Sequence, residues 1–325
     1  MAWRLRLAPE KTNIDFFQYQ WITFGGSMAL MVLAFILWGV MGLNFGIDFQ
    51  GGTTIRTEST QVVDVGAYRT ALTGLDLGDV SINEVFDPSF RADQHVAMVR
   101  IAALDGHEAV TPETLDKVKS TLSAMDPAIK FPSVESVGPK VSNELIYSSI
   151  LAVAITSIGI SLYIWLRFEW QFALGGVLAL LHDVFITIGI FALFQIKFDL
   201  TIIAALLTIL GYSINDTVVV FDRLRENLVK YKTMPLRDVM NLSVNETLSR
   251  TLMTSLTTLI AVGSMLVFGG DVIRGFSFAI FIGVLLGTYS SVYVAKNIVL
   301  ILGLDRSEKP KKDGKAGTDF ANIDA

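Results

Sequence analysis

Six apolar runs dictate what this chain can become, because a helix needs roughly 20 residues to cross a hydrocarbon core. They are Phe24–Leu43, Leu145–Leu166, Phe172–Phe194, Leu200–Phe221, Thr251–Phe268 and Gly275–Leu302. Lipid offers no partner to a backbone N–H or C=O, so each run is expected as a transmembrane helix. Composition agrees. The chain is 52% hydrophobic and 18% charged, with a mean hydropathy of +0.52, too apolar for an ordinary soluble domain. Arg4, Arg6 and Lys11 precede the first run as in a signal peptide. That run is too long for a cleaved signal and reads as a retained anchor. With no cysteine in the chain, disulfides, Cys-ligated zinc and thiol nucleophiles are excluded.

Lys and Arg set the expected orientation. With the N-terminus cytoplasmic, sixteen of the 26 Lys and Arg fall on the inside, whereas the short outside loops hold only Lys197 and Arg274. Both termini are therefore expected in the cytoplasm. Residues 1–23 read as an amphipathic lead rich in aromatics (Trp3, Phe16, Phe17, Tyr19, Trp21), lying on the membrane and contacting lipid. Residues 222–250 read as a cytoplasmic loop with an amphipathic helix after Pro235, built on Leu236, Val239, Met240, Val244 and Leu248. The charged, Gly-rich tail 303–325 is expected to be disordered.

Residues 44–143 form the one long outside segment. It opens with Gly46-Ile47-Asp48-Phe49-Gln50-Gly51-Gly52, where glycines suit a bend between span and strand. Strands are expected at Thr53–Thr57, Val80–Phe86 (ended by Asp87-Pro88), His95–Ala102 and Phe131–Val141. Helices are expected at Gln61–Leu72 and from Thr111, a helix cap followed by Pro112. The order β-α-β-β-α-β is that of a ferredoxin-like sandwich. The expected fold is thus a six-helix α-helical membrane protein with an α+β ferredoxin-like domain between the first two spans. His95 and His107 lie in different segments without ligand-like spacing, so no metal site is expected.

Polar groups inside the spans are the candidates for function, since an ionisable side chain there costs at least a few kcal/mol. Asp216 lies about 10 Å inside the fourth span, counted from Arg223 at 1.5 Å per residue. Thr208, Tyr212, Asn215 and Asp216 recur at helical spacing as one stripe expected to face the bundle interior. In the fifth span Arg250, Thr254, Thr257 and Thr258 share a face, so Arg250 can reach towards Asp216 from the next helix. The third span carries His182-Asp183. Neighbours on a helix diverge, so these two are not expected to pair. Asp183 is expected to hold an adjacent helix by a hydrogen bond, with a role in proton or ion movement as the alternative. Gly283 and Gly287 form a GxxxG step that permits close helix crossing.

Gly46–Gly52, Leu181-His182-Asp183-Val184, Gly211–Asn227, Ser249–Ser255 and Gly287–Ser291 together resemble the SecF subunits of the bacterial Sec protein-export machinery. These belong to the SecD/SecF family of the resistance-nodulation-division superfamily. The resemblance spans about residues 14–304, with no departure in the fourth-span signature. It implies a SecD-like partner, association with the SecYEG channel, and use of the proton motive force to draw preproteins across the inner membrane. By the same resemblance Asp216 carries the proton and Arg250 acts beside it, as a proton relay. Asn215, Asp183, His182 and Thr254 are secondary intramembrane candidates. Gly46, Asp48, Gly51 and Gly52 form a structural family motif, and residues 44–143 become a periplasmic domain. Neither a cofactor nor a nucleic-acid partner is expected, and the coupling ion is H⁺ with Na⁺ left open. Three other readings stay open: a half-sized small-molecule or lipid exporter, an intramembrane hydrolase (disfavoured by the lack of Gly-x-Ser-x-Gly or His-Glu-x-x-His), and a purely structural subunit.

Overall fold

The order of elements between the first two spans closes a sheet as it should. A computed structural model describes residues 12–304 except 76, 86–90, 92 and 103–109. Residues 1–11 of the lead, Asp87-Pro88, His107 and the tail from 305 lie outside the described residues. The first span, α1 (Gln20–Met41), leads through a one-turn helix, α2 (Ile47–Gln50), into β1 (Gly52–Ser59), α3 (Val65–Thr73), β2 (Val80–Val85), β3 (His95–Ile101), α4 (Pro112–Met125) and β4 (Lys130–Val137). The sheet is antiparallel throughout, in the order β2-β3-β1-β4, which is the ferredoxin-like arrangement. Of the two faces of β3, Ala97, Val99 and Ile101 take the core, packing with Ile55 beneath Leu72 of α3 and Val118 and Leu122 of α4.

Two boundaries move for local reasons. Helix α3 starts four residues later than Gln61, because the Asp64 carboxylate accepts from Ala67 N at 2.9 Å and caps it. Strand β4 ends at Val137 rather than Val141, because α5 (Pro139–Arg167) has already begun. Thr111 Oγ1 accepts from Thr114 N and caps α4 as the sequence indicates.

The membrane-spanning bundle adds α6 (Trp170–Phe194), α7 (Leu200–Lys230), α8 (Leu236–Phe268) and α9 (Asp271–Ser290) to α1 and α5. A π-helical turn, Ser291–Ala295, joins α9 to α10 (Lys296–Leu302), so the sixth span is one continuous rod with a wider turn. Among the described residues six helices are long and apolar enough to cross a membrane. The GxxxG step has α7 as its partner, with Gly283 against Ile209 and Gly287 against Ser213.

The region from 222 to 250 differs from expectation. It is neither a loop nor a separate helix lying on the membrane. Helix α7 continues to Lys230 and α8 starts at Leu236, so the two form one long hairpin. Val239, Met240 and Val244 are buried against Phe221, Leu224 and Val220, so protein rather than lipid covers the apolar face. Polar ties reinforce the stem: Arg223 donates to Glu246 and Glu226, both at 2.7 Å, and Asn227 donates to Glu246 at 2.7 Å and Ser243 at 3.0 Å.

The lead also departs from a surface helix. Residues 12–15 are not helical, and Phe16 and Phe17 are buried in the bundle. Asn245 and Asn241 of α8 bond the backbone at Ile14 and Phe16. Lys296, only 1% exposed, donates to the Phe16 carbonyl at 3.1 Å and sits 3.4 Å from the centre of the Phe17 ring. Its long stem crosses the apolar interior while the ammonium finds a carbonyl and an aromatic face.

The glycine motif is a joint between domains. Gly51 and Gly52 have φ of 70° and 113°, which side-chain-bearing residues rarely adopt. Gly46 N donates to Phe198 O at 2.8 Å. The Asp48 carboxylate accepts from Leu200 N at 3.1 Å, alongside Asp199, which caps Thr201 N at 3.0 Å. Two carboxylates thus sit at the positive end of α7. Arg100 of β3 reaches the Phe45 carbonyl at 2.8 Å and the Gln50 side chain, tying the sheet to this joint. Burial lowers the Arg100 pKa from its usual value, partly offset by Asp79. Replacing Asp48 by Ala is expected to cost about 1 kcal/mol, as for other lost caps, read as a lower thermal midpoint in detergent. Asp48→Asn keeps an acceptor and should lose only a fraction of that.

Candidate functional site

Helix α7 presents two different faces at mid-span. Ile209, Leu210, Ser213, Asp216 and Thr217 point into the bundle, whereas Ala204, Thr208, Gly211 and Asn215 are exposed. The polar stripe expected to face inward is therefore split. Asp216 is buried, Tyr212 is half-buried, and Thr208 and Asn215 face out of this chain. One residue is 100° of helix turn, enough to separate Asn215 from Asp216.

Asp216 is 3% exposed and its Oδ2 is buried without a hydrogen-bond partner among the described residues. Helices α7 and α8 run antiparallel, and Tyr212 Oη lies 3.5 Å from Ser255 Oγ. Four residues onward along α7 is Asp216, and four residues back along α8 is Thr251, so these fall in one layer. The Thr251 hydroxyl is likewise buried without a partner among the described residues. Ser255 lies against the Asp216 carboxylate, and Arg250 is near enough to act on it electrostatically. No ion pair joins Arg250 to Asp216 among the described residues. Arg250 is exposed and lines a polar cavity of about 560 Å³ with Arg167, Asp222, Arg223, Glu226 and Glu246. Val219, three residues beyond Asp216 on α7, lines the same cavity. The carboxyl is dry and the guanidinium wet, and the cavity wall at Val219 is about one helical turn from Asp216. Thr254 spends its hydroxyl on the carbonyls of Thr251 and Arg250. Asp222 pairs with Arg167 at 3.0 Å.

The second polar cluster corrects one expectation. His182 and Asp183 do contact each other, Nδ1 to Oδ1 at 2.9 Å. Their Cα–Cβ bonds diverge, but Nδ1 is the ring nitrogen next to the point of attachment and can fold back onto the following carboxyl. Both are fully buried, where the low local dielectric strengthens the contact. The other carboxyl oxygen accepts from Ser213 of α7 at 2.6 Å and Ser290 of α9 at 2.7 Å. Asp183 thereby ties α6, α7 and α9 together. Tyr289 stacks near His182 and bonds α1, donating to Thr23 O at 2.9 Å and accepting from Ser27 at 3.0 Å.

Gly46, Asp48, Gly51 and Gly52 lie at the joint described above, remote in role from Asp216. Sequence reasoning missed Ser213, Ser255, Thr288 and Ser290. Small hydroxyl residues are so common in spans that nothing in their spacing marks which ones meet a carboxyl. His95 lies 3.9 Å from Glu84 on the sheet.

Comparison with known proteins agrees with this architecture. Residues 117–305 match the family model for the protein export membrane protein SecD/SecF, C-terminal, and residues 36–61 match the SecD/SecF GG motif. The chain is 74% identical to the protein translocase subunit SecF of Cereibacter sphaeroides, over all of both chains. It is 65% identical to that of Rhodobacter capsulatus, over 96% of each, and 39% identical to that of Rickettsia bellii, over 94% of this chain and 98% of the relative. Among solved structures it is similar to SecDF from Thermus thermophilus, a translocon-associated membrane protein, with a TM-score of 0.81 and 34% identity over 91% of this chain. SecDF in a super-membrane-facing form matches with a TM-score of 0.66 and 34% identity over 92% of this chain. The chain spans 39% of the length of either SecDF chain. A family model covering more than half the chain and full-length relatives far above 30% identity lead to one conclusion: this multi-pass membrane protein belongs to the SecD/SecF family of protein export membrane proteins.

Proposed function

We propose that this chain is a non-enzymatic accessory subunit of protein export that couples proton entry to preprotein movement, with Asp216 as the proton-carrying group. One observation carries the reading. A carboxyl with a buried, unpartnered oxygen lies one helical turn from a polar cavity. Among the described residues that oxygen has no structural partner to explain it, and the group is within reach of aqueous protons. Arg250, in the cavity, would draw the ionised carboxylate towards it, and a protonated Asp216 would not respond. That difference gives α7 and α8 two states selected by one proton. Moving one charge across the membrane supplies about 2.3 kcal/mol per 100 mV.

The exposed stripe of α7 supports a partner. Among the described residues the Asn215 side chain makes no hydrogen bond, and an uncovered amide at span depth is costly in lipid. A SecD-like subunit would cover it, as the greater length of the SecDF chains suggests. The assembly would work on preproteins at a SecYEG channel in the bacterial inner membrane, both termini cytoplasmic and residues 44–143 periplasmic. No cofactor is proposed beyond the coupling ion H⁺. Asp216→Asn should leave the chain assembled and abolish the proton-gradient-dependent part of export from membrane vesicles, while an imposed Na⁺ gradient should not drive the wild type. Undiminished proton dependence in the Asn variant would refute the role of Asp216.

A further inference from the structure

The direction of the hydroxyl chain beside Asp216 is fixed by counting protons. Thr288 Oγ1 donates to the Val284 carbonyl at 2.7 Å, and a threonine hydroxyl has a single proton. The 2.6 Å contact between Ser255 Oγ and Thr288 Oγ1 must therefore carry the Ser255 proton. Tyr212 Oη in turn points its proton at Ser255 Oγ, 3.5 Å away. The chain runs from Tyr212 to Ser255 to Thr288 to Val284, and the Asp216 carboxyl beside Ser255 is the second acceptor within reach of that hydroxyl. Among the described residues the buried Asp216 Oδ2 is unpartnered although Ser255 lies against the carboxyl. A neutral carboxyl tolerates that arrangement far better than an ionised one, because an unpaired charged acceptor pays a larger desolvation cost.

We propose that Ser255 is a positioning residue for the proton step, its hydroxyl turning from Thr288 to Asp216 when the carboxyl ionises. The inference rests on the reading of Asp216 given above. Only rotation about the Ser255 Cβ–Oγ bond is needed. The proton leaving Asp216 passes to water, Ser255 keeps its own proton throughout, and Thr288 stays bonded to Val284. Other charges on the helices packed around α7 are already engaged or lie in the cavity. From α8, Arg250 acts on the carboxyl and Glu246 is bonded to Arg223. From α6, Asp183 is satisfied by His182 and two serines. From α5, Tyr163 and Arg167 line the cavity, and from α9, Tyr289 is bonded to α1.

The test is export by the full-length chain, with its partner subunits, in inverted membrane vesicles across a range of pH under an imposed proton gradient. In Ser255→Ala the ionised carboxyl loses its donor, so the pH of half-maximal proton-driven export should move up by about one unit, a tenfold change in proton affinity. Thr288→Val removes the competing acceptor and leaves Ser255 free to face Asp216, so the midpoint should move down by a similar amount. Ser255→Thr keeps a hydroxyl and should return most of the way to wild type. Opposite shifts in the Ala and Val variants, with recovery in Thr, support the switch. Shifts of the same sign, or none, overturn it. Asp216→Asn serves as the separate control. If that variant keeps its proton dependence, the reading of Asp216 fails and the proposal falls with it. If it loses the dependence while Ser255→Ala and Thr288→Val leave the midpoint in place, only the Ser255 proposal fails.

Discussion

Asp183→Leu is expected to destabilise the bundle by about 3 kcal/mol or more, since it strands several buried polar groups at about 1–3 kcal/mol each. Ser213 and Ser290 both donate to one oxygen of Asp183, and His182 faces the other. Leucine fills the volume but accepts nothing. Ser290 has a fallback in the Gly287 carbonyl at 3.2 Å, so Ser213 and His182 would carry most of the loss. Asp183→Asn separates geometry from charge. Its amide oxygen can take both serine protons and its amide nitrogen can donate to His182, so the loss should stay under about 1 kcal/mol. Unfolding of the detergent-solubilised protein, followed by tryptophan fluorescence, reads both. Equal losses in the two variants would mean that the charge, not the three-helix tie, is what the bundle requires.

Gly283→Ala is expected to force α7 and α9 apart. A Cβ there would lie 2.3 Å from Ile209 Cγ1 and 2.4 Å from its Cδ1. Ile209 is buried and stiff at χ1, so α7 and α9 must separate. Overpacking of this kind costs about 1–3 kcal/mol. The shift would also move Ser213 and Asp216, which follow Ile209 on the same face of α7. Combining Gly283→Ala with Ile209→Ala should restore room, so the double variant should be more stable than the sum of the single losses predicts. Strict additivity in that cycle would show that the two residues do not meet.

Much of this was legible in the residues. The apolar runs announce six spans, because lipid forces backbone pairing within each segment. Alternation and helix caps announce the sandwich, because strands and helices expose different periods. Thr111 reads as a cap and acts as one. The misreadings share a cause. Leu236–Leu248 has the apolar stripe of a membrane-surface helix, and a stripe does not say whether lipid or protein will cover it. In the fold, extended α7 covers it. Phe16 and Phe17 likewise suit either a headgroup layer or a protein groove. His182 and Asp183 were separated by helical geometry alone, whereas their pairing depends on burial that only packing creates.

By itself, then, the sequence determined how many helices cross the membrane, the order of the sheet elements, and that Asp216 is a carboxyl in the wrong solvent. Those follow from local period, length and transfer cost. Only the tertiary structure decided that Asp216 is dry while Arg250 is wet, that Asn215 faces out of the chain, and that serines from two other helices meet Asp183. These are contacts between residues far apart in the chain. A hydroxyl's proton, or a carboxyl's orphaned oxygen, is assigned only when every neighbour that could compete for it is in place.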